Sequence, residues 1–596
     1  MLDIPELDRM VFRQLGLHDL AQCARVSKKW HALVMPYLWH DLSDLSWDRA
    51  DRDDFRRIVL EDYLAERQRQ QLQAEDDSVE QSTQTQPSPH SPALSKYGHW
   101  IRLLPNPDRF RCFLELPWKA KEQEKGPTED ELILHLFKRC SPDVQVVDFW
   151  TSLRDLDIEY PKNAILDFTL SRVLHLDIKL RSYSSGPEVW KLLDQLDQCQ
   201  LLRKLVLKVE LYAGIEDIEE ERTNDELKGW ASLKELTLYD NASAWYSNAF
   251  WSWLFKRCAS VEKLSVTTCN GAAKSIEQGL LAYMPNICEI SLGGDLKGNI
   301  SDEDMATILD GSRAGWKAVK VERCGRLRGP AMDALAKHFS TLEVLVVDGI
   351  EGAMMNDMVQ VPRLCTKLRT LAYIDTDYCE MNGCSKIDAK VFIDQDPDTG
   401  VLKPWKCEAS LEVLKVMIVG IPRPDLESDE VIKEAYPGEG REIQGQVYDR
   451  LARLTNLETL WLGDECGRSG VQSPEMSLES GLGKLCGLKK LKELNVAGFL
   501  TRIGVGEVQW MVENWPKLRI IYGFDNDGFD DNGSDNDGYD DNGPESDGVD
   551  ADGFANDGYG NDGYSEGMHV YDEIGEEAVA WLRENHPEIT VVREPW

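Results

Sequence analysis

The sequence lacks the cysteine spacing that marks several classes of protein. Its 14 cysteines are spread along the chain, and none stands in a Cys-x-x-Cys pair. Because zinc cages and compact disulfide frameworks both need closely spaced cysteines, the sequence predicts neither. The densest group is Cys365, Cys379, Cys384 and Cys407, whose spacing fits no standard metal site. We expect reduced thiols at these positions in preference to a metal.

Basic residues and long apolar runs are also in short supply. The chain has 67 Lys and Arg against 105 Asp and Glu, which gives a formal net charge of -38 over 596 residues. Nucleic acids and anionic membranes attract basic surfaces, so the sequence predicts no partner of either kind. No apolar run approaches the roughly 20 residues of a membrane-spanning helix, and no signal-like segment precedes the first helices. We therefore expect a protein of the cytoplasm and/or the nucleus.

No catalytic constellation stands out either. The sequence has no phosphate-binding glycine loop and no histidine pair with zinc-hydrolase spacing, and its ten histidines stand singly. It therefore predicts no catalytic residues, no metal and no cofactor. An enzyme whose site has no recognisable pattern stays open as an alternative.

The start of the chain holds a set of short amphipathic segments. After Pro5, which suits the first turn of a helix, apolar residues recur at helical spacing. A second apolar set follows Asp19, and a third begins at the N-cap residue Ser27 and is predicted to end at Pro36. Three helices in about 35 residues bury too little apolar surface to be stable alone. The segment therefore implies a binding partner.

Residues 4 to 39 resemble the F-box, the module by which substrate receptors dock on the Skp-family adaptor of cullin-type ubiquitin ligases. The resemblance rests on Ile4-Pro5-Glu6-Leu7, Val11-Phe12, Leu15, Asp19-Leu20, Val26-Ser27-Lys28-Lys29-Trp30 and Leu38-Trp39. Ile4 stands where the family usually has leucine, and Gly16-Leu17-His18 stands where a serine-like residue commonly precedes the Asp-Leu pair. Neither change removes an apolar anchor. An ordinary three-helix cap is the alternative.

The resemblance implies that this module, residues 1–45, contacts the adaptor and through it a cullin. The implied contact residues are Ile4, Pro5, Leu7, Val11, Phe12, Leu15, Leu20, Val26 and Trp30. The alternative role for Val26 and Trp30 is to stabilise the module itself by packing between its helices.

Residues 46–98 are predicted to form a charged helix followed by a low-complexity linker. The helical part includes residues 55–64, whereas residues 70–96 are rich in Gln, Ser, Thr and Pro. A segment so polar does not bury enough apolar surface to become ordered. We expect it to tether the module flexibly to the rest of the chain.

From Val144 onward the sequence repeats one pattern. An apolar residue is followed by two variable residues, a second apolar residue, one variable residue and a third apolar residue. Copies begin at Val144, Val173, Leu202, Leu233, Val261, Ile287, Trp316, Leu342 and Leu368, which are 26 to 31 residues apart. Further copies begin at Leu411, Leu457, Leu491 and Leu518, after insertions at 375–408 and 420–445. A period this regular indicates a repeat architecture.

The pattern resembles the leucine-rich repeat. Cys269 and Cys324, each three places after the last apolar position of its copy, resemble the cysteine-containing subclass often found behind F-boxes. The resemblance implies an α/β fold: a curved solenoid over residues 99–523 with parallel strands on its concave face and helices on its convex face. Neighbouring repeats would bury one continuous core, since each strand turns its apolar residues inward. A further strand is possible near residues 100–104.

An acidic tract interrupts the last repeats. Residues 508–518 and 579–589 match position by position, and between them residues 525–564 are eight pentapeptides with 13 Asp, one Glu and no basic residue. We predict a disordered acidic insert at 524–567 and a final repeat or cap at 568–596. The tract has no EF-hand frame, which argues against a calcium site. Weak binding of calcium or of a basic partner is the alternative.

The outward strand positions predict where a partner would bind. Their charges are mixed in the early repeats and give way to apolar side chains in the later ones. The predicted substrate-contact residues are Val344, Val346, Ile374, Val413, Met417 and Trp461. An exposed apolar patch usually has a partner, although the insertions at 375–408 and 420–445 could instead fold back and cover it.

The F-box and leucine-rich-repeat resemblances together imply the substrate-recognition subunit of a Skp-cullin-F-box E3 ubiquitin ligase. Such a subunit binds an unknown target protein and has no catalytic residues of its own. A non-catalytic repeat scaffold that is not assembled into an active ligase is the alternative.

Overall fold

The computed structural model describes most of the repeat region and part of the segment before it. The described residues are 17–39, 49–76, 94, 97–104, 127–140, 144–152, 168–181, 196–210, 229–240, 254–267, 276, 279–280, 282–293, 300–322, 327, 329–348, 359–375, 383–384, 386–396, 398–422, 439–463, 473–497, 503–523 and 565–592. The predicted acidic insert up to residue 564, residues 77–93 of the predicted linker, and Cys269 and Cys324 lie outside them. Two compact units make up the chain, residues 1–288 with 311–314 and residues 289–310 with 315–596.

The first unit has four described helices. They are α1 (Leu17–Val26), α2 (Lys28–Leu38), α3 (Arg49–Asp76) and α4 (Glu129–Arg139). α4 begins with a capping box, in which Thr128 Oγ1 accepts from Glu131 N at 3.2 Å and the Glu131 carboxylate accepts from Thr128 N at 2.8 Å. These two bonds satisfy backbone donors that the first turn of a helix leaves unpaired.

The sheet of the first unit is parallel throughout. Its strands are β1 (Leu103–Leu104), β2 (Gln145–Ser152), β3 (Val173–Arg181), β4 (Lys204–Glu210), β5 (Glu235–Asp240) and β6 (Lys263–Thr267). Each strand pairs with the next one in sequence order. The repeat pattern predicts β2 to β6, and β1 confirms the further strand near residues 100–104.

The second unit repeats the same arrangement with two insertions. Its strands are β7 (Glu289–Gly293), β8 (Ala318–Glu322), β9 (Val344–Asp348), β10 (Thr370–Asp375), β11 (Gly383–Cys384), β12 (Lys386–Asp388), β13 (Val413–Lys415), β14 (Met417–Val419), β15 (Thr459–Trp461), β16 (Glu493–Asn495), β17 (Ile520–Tyr522) and β18 (Thr590–Val592). Its helices are α5 (Asp302–Asp310), α6 (Gly329–Ala336), α7 (Gln360–Leu364), α8 (Ala389–Ile393), α9 (Glu439–Ala452), α10 (Val505–Asn514) and α11 (Ser565–Asn585). β7 to β10, β13 and β15 to β18 pair in parallel and in sequence order. The structure thus confirms a leucine-rich-repeat type of fold.

Alternating burial explains why these segments are strands. In β8, Val319 and Val321 are fully buried while Lys320 between them is exposed. In β7, Ile290 and Leu292 are buried in the same alternation. Successive side chains of a strand point to opposite sides, so an apolar residue at every second position builds one core. The helices between the strands close that core, and Val508 and Met511 of α10 are buried in it.

Corresponding turns of different repeats share their hydrogen bonds. The segments Leu136–Cys140 and Leu254–Cys258 have the same sequence, Leu-Phe-Lys-Arg-Cys. In both, the cysteine Sγ lies 3.2 Å from the leucine carbonyl oxygen four residues earlier. The turns are therefore equivalent, and their cysteines fill buried space.

The two C-terminal copies are equivalent in the same way. Asn514 Nδ2 donates to Trp510 O at 3.0 Å, and Asn585 Nδ2 donates to Trp581 O at 2.9 Å. β17 and β18 then pair in parallel. The predicted duplication around the acidic tract is thus visible in the last two helix and strand pairs.

The insertion at 375–408 adds a small second sheet instead of a long loop. β12 pairs in parallel with β14, and α8 follows β12 directly. Arg450 of α9 fixes this insertion: it is fully buried, Nη1 donates to Glu408 at 3.2 Å and Nη2 donates to Ile393 O at 2.7 Å. Its guanidinium also lies 4.9 Å from the centre of the Trp405 ring. Burial lowers the pKa of Arg450 to about 10, which still leaves it charged at neutral pH.

Replacing Arg450 should destabilise the second unit. Arg450→Ala leaves the Glu408 carboxylate and the Ile393 carbonyl without their buried partner, so the free energy of unfolding should fall by about 3–5 kcal/mol. Arg453→Ala is the matched control, because Arg453 lies on the same segment 3.8 Å from Glu408 but is partly exposed. There we expect a loss of about 0–1 kcal/mol. Urea denaturation followed by tryptophan fluorescence measures both, and equal losses would contradict the assigned role of Arg450.

Candidate docking module and exposed face of the sheet

α1 and α2 pack as a helix pair around one buried residue. Val34 is fully buried at its centre. The half-buried side chains that pack on it are Cys23, Ala24, Trp30, Leu33, Tyr37 and Leu38. The predicted N-cap is confirmed, since Ser27 Oγ accepts from Trp30 N at 3.2 Å. The predicted stop at Pro36 is wrong: α2 continues to Leu38, because a proline in the last turn removes only one helical donor.

The predicted adaptor contacts divide into described and undescribed residues. Ile4, Pro5, Leu7, Val11, Phe12 and Leu15 lie outside the described residues, and only the backbone of Leu20, on α1, is described. Val26 at the end of α1 is 67% exposed. Trp30 is half-buried and packs on Val34. Val26 is thus free to meet a partner, whereas Trp30 helps to hold the helix pair together.

The helix pair contacts the end of the segment that precedes the repeats. His31 Nε2 lies 3.2 Å from the Tyr97 hydroxyl, and the rings of Trp39 and Tyr97 are 5.9 Å apart. Gly98, the next residue, lies so close to Arg139 of α4 that a side chain would meet its carbonyl oxygen. The sequence predicts a flexible tether here. Tyr97, at the end of that segment, contacts α2, and residues 77–93 of the predicted tether lie outside the described residues.

α3 is held on α4 by a buried carboxylate. Asp62 is fully buried and accepts from His135 Nε2 at 2.8 Å and from Arg139 Nε at 3.0 Å. Arg139 Nη2 also donates to Glu66 at 2.9 Å, and the Tyr63 ring lies edge-on to His135. α3 therefore belongs to the folded part of the first unit over at least these two turns.

The exposed face of the first sheet has mixed charge, as predicted, and its charges pair between strands. The Lys208 ammonium lies 2.7 Å from Asp177 on the neighbouring strand. Glu235 lies between Lys204 at 3.4 Å and Lys263 at 4.0 Å. Each of these charged side chains thus has an oppositely charged neighbour on an adjacent strand.

The outward face of the main sheet of the second unit contains an uncharged row. The strand pairing places Ala318, Val344, Thr370, Val413 and Thr459 side by side on five successive strands. The next outward row along the same strands is Lys320, Val346, Ala372, Lys415 and Trp461. At about 4.8 Å per strand, the uncharged row is about 19 Å long. We call these two rows the recognition rows.

A tryptophan stands at one end of the recognition rows. Trp461 is half-buried, and its indole N–H donates to Glu493 at 2.7 Å. The Lys415 ammonium lies 3.2 Å from its ring centre, and the Tyr522 ring lies 5.6 Å away. These contacts fix the orientation of the indole before any partner binds, which lowers the entropy cost of binding.

The structure brings together most, but not all, of the predicted substrate contacts. Val344, Val346, Val413 and Trp461 lie half-buried in the recognition rows, while only the backbone of Ile374 is described. The prediction that Met417 faces outward is wrong, because Met417 is fully buried. The chain leaves the main sheet after Lys415 to form β14, so the alternation of the repeat ends there.

The described part of the first insertion does not cover the recognition rows. Ile387, Phe392 and Trp405 line a small cavity together with the inward residues Leu371, Tyr373, Leu414 and Val416. That cavity lies on the core side of β10 and β13. The described residues therefore give no support to the alternative in which residues 386–396 and 398–408 hide the patch.

Sequence reasoning overlooked one catalytic pattern. Residues 563–567 read Gly-Tyr-Ser-Glu-Gly, the spacing of a nucleophile elbow around Ser565. Such an elbow needs a core strand directly before the serine. Here the acidic pentapeptides precede it, and Ser565 is the first residue of α11. The pattern is therefore no evidence for a hydrolase.

The described side chains also bear on metal binding. Within the described residues, no three His, Cys, Asp or Glu side chains come together as a metal site requires. Cys365 and Cys407 are buried free thiols, and burial raises the pKa of both to about 12. Protonated thiols are poor metal ligands and poor nucleophiles.

None of the described helices combines the length and apolar character that crossing a bilayer requires.

Comparisons with known proteins give one family match. The family model for F-box-like domains matches residues 5–44. No curated protein sequence matches the chain. The fold and the matched segment define a repeat protein of the leucine-rich type with an F-box-like domain near its N-terminus. The chain carries an F-box-like domain followed by leucine-rich repeats.

Solved structures give only distant likenesses. A chain of the yeast Rad7 and Elc1 complex is 13% identical, with 49% of this chain and 76% of that chain covered and a TM-score of 0.27. An internalin from Listeria monocytogenes is 10% identical, with 67% and 84% covered and a TM-score of 0.31. The leucine-rich-repeat protein LegL7 from Legionella pneumophila is 13% identical, with 62% and 95% covered and a TM-score of 0.25. Scores this low carry no functional argument, and the fold is defined by the strand order and burial described above.

Removing the Asp62 carboxylate should loosen α3. Asp62→Ala leaves His135 and Arg139 without their buried acceptor, so the packing of α3 on α4 should weaken by about 1.5–3 kcal/mol. Faster hydrogen exchange of the α3 amides would show this. Glu66→Ala is the control, since Glu66 is partly exposed and contacts the same arginine. A similar acceleration in both variants would contradict a special role for Asp62.

Proposed function

We propose that the chain is the substrate-recognition subunit of a Skp-cullin-F-box E3 ubiquitin ligase. The observation that carries this proposal is the F-box-like match over residues 5–44, the segment whose described helices expose Val26 and pack around Val34. Adaptor contacts are assigned to the residues that the sequence predicts, from Ile4 to Trp30. The chain then acts in the cytoplasm and/or the nucleus.

The chain contributes position to the reaction and no chemistry of its own. A bound target is held near a cullin-bound conjugating enzyme, which converts an encounter in solution into a reaction at high effective concentration. The contacts of α2 with Tyr97 and of α3 with α4 support this role, because they restrict the orientation of the module relative to the first repeats.

The recognition rows are the proposed substrate surface. They offer the half-buried side chains of Val344, Val346 and Val413 beside the buried Ala318 and Ala372. One row carries no charge, and Glu493 and Lys415 already orient the indole of Trp461. Binding energy at interfaces concentrates on such oriented aromatic residues surrounded by apolar contacts. A protein segment with apolar side chains is the kind of target that this surface fits.

Co-purification tests the docking module. The full chain should capture a Skp-family adaptor and, through it, a cullin, and a variant with Leu7→Ala, Phe12→Ala and Leu15→Ala should capture neither. The control variant changes three exposed leucines outside the module, Leu64, Leu72 and Leu201, to alanine and should bind like the wild type.

Each outcome of that experiment decides something. Failure of the intact chain to bind the adaptor would overturn the proposal. Adaptor binding without the cullin, or without ubiquitin transfer to a captured protein, would favour the repeat scaffold that is not part of an active ligase.

Charge placed in the recognition rows should abolish target capture. Val344→Lys with Val413→Lys adds two cations to the uncharged row, and capture of the target should fall by a factor of about ten or more. Thr237→Lys is the control, because Thr237 is a half-buried outward residue of β5 in the first unit. Affinity capture and a melting curve are measured for each variant. Unchanged capture by a folded double variant would rule out these rows as the target site.

A further inference from the structure

A row of charged residues runs along the edge at which the strands of the second unit's main sheet begin. The residue just before each strand belongs to it, and backbone bonds connect neighbours: Glu412 N donates to Arg369 O at 2.8 Å, and Lys492 N donates to Glu458 O at 2.8 Å. Opposite charges meet at both steps. The Arg369 guanidinium contacts both Glu412 oxygens at 2.8 Å, and the Lys492 ammonium lies 2.6 Å from Glu458.

Like charges are neighbours at two steps of the row. Glu458 N donates to Glu412 O at 2.7 Å, which places two carboxylates side by side, and the step from β16 to β17 places two cations side by side. Arg519 N donates to Lys492 O at 2.8 Å, so two cations are neighbours in the row. Two residues earlier in each copy stand Lys490 and Lys517, in the matching sequences Lys490-Leu491-Lys492 and Lys517-Leu518-Arg519. All four side chains are exposed. We call these four residues the basic edge.

Like charges on neighbouring strands repel each other, and the fold gains nothing from this arrangement. Glu458 and Glu588 are the carboxylates that adjoin the basic edge in the described residues. The Lys492 hydrogen bond, helped by Lys490 and Lys517, holds the pKa of Glu458 below its usual range. The pKa of Glu588 is lowered by its own backbone N–H and by His586, with a contribution from Arg519. Two carboxylates do not balance four cations.

The basic edge is unusual for this chain as a whole. The basic edge belongs to a protein with a net charge of -38, and the cation Arg369 of the same row is paired with Glu412. A local excess of positive charge in an acidic protein attracts a short acidic segment, whereas the remaining surface repels a long polyanion such as a nucleic acid.

We propose that Lys490, Lys492, Lys517 and Arg519 form a binding site for an acidic polypeptide segment of another protein. Neighbouring strands lie about 4.8 Å apart, so Lys492 and Arg519 can meet carboxylates that stand one or two residues apart on an extended peptide. None of these four residues belongs to the docking module or to the recognition rows. The role of this site therefore does not depend on assembly of a ligase.

A labelled peptide of alternating Asp and Ser tests the proposal on the full chain by fluorescence anisotropy. Saturable binding that weakens as salt rises is expected, and a peptide of alternating Asn and Ser should not bind. Lys490→Glu with Lys517→Glu should weaken binding of the acidic peptide by a factor of about ten or more. Because all changed side chains are exposed, the melting temperature should not fall.

The matched control is Lys367→Glu with Lys406→Glu. Lys367 holds the position of Lys490 in an earlier copy, Lys367-Leu368-Arg369. In that copy the row residue Arg369 has the carboxylates Glu343 and Glu412 as its neighbours, and the change in net charge is the same. This variant should bind the acidic peptide like the wild type. An equal loss in both variants, no binding by the wild type, or tighter binding of a single-stranded oligonucleotide would each overturn the proposal.

Discussion

The backbone bonds between successive parallel strands are the constraint on which the rest of the structure depends. Each strand donates to and accepts from its neighbours in one fixed register, so every repeat turns the same positions inward. A slip of one residue would move the apolar residues to the other side of the sheet. The core, the recognition rows and the basic edge are all consequences of that register.

The same register sorts surface chemistry into rows. In the first unit the outward charges pair across strands, as Lys208 and Asp177 do. In the second unit one row becomes uncharged over five strands, and at β16 and β17 cations outnumber the carboxylates that pair with them. A repeat protein can thus carry distinct binding surfaces on one scaffold, because each row varies while the inward residues stay apolar.

The sequence predicts the repeated strands well because a single local pattern, an apolar residue at alternate positions, decides both strand and core. It could not predict what depends on distant contacts. Met417 was misplaced because the chain leaves the main sheet after Lys415 and pairs with β12 from Met417 onward. His31 contacts Tyr97, which is 66 positions away in the chain, and Arg450 donates a hydrogen bond to Glu408, which is 42 positions away. A periodic sequence pattern does not predict contacts between residues so far apart in the chain. The candidate contacts from Ile4 to Leu15 stay predictions, since they lie outside the described residues.

The central claim is that residues 4–39 are the surface that meets the adaptor and that the repeats are left free for another protein. Hydrogen exchange of the full chain, measured with and without a Skp-family adaptor, tests it most directly. The account predicts slower exchange within residues 4–39 and unchanged exchange in the strands of the second unit. Unchanged exchange in residues 4–39, or protection confined to the repeats, would contradict it.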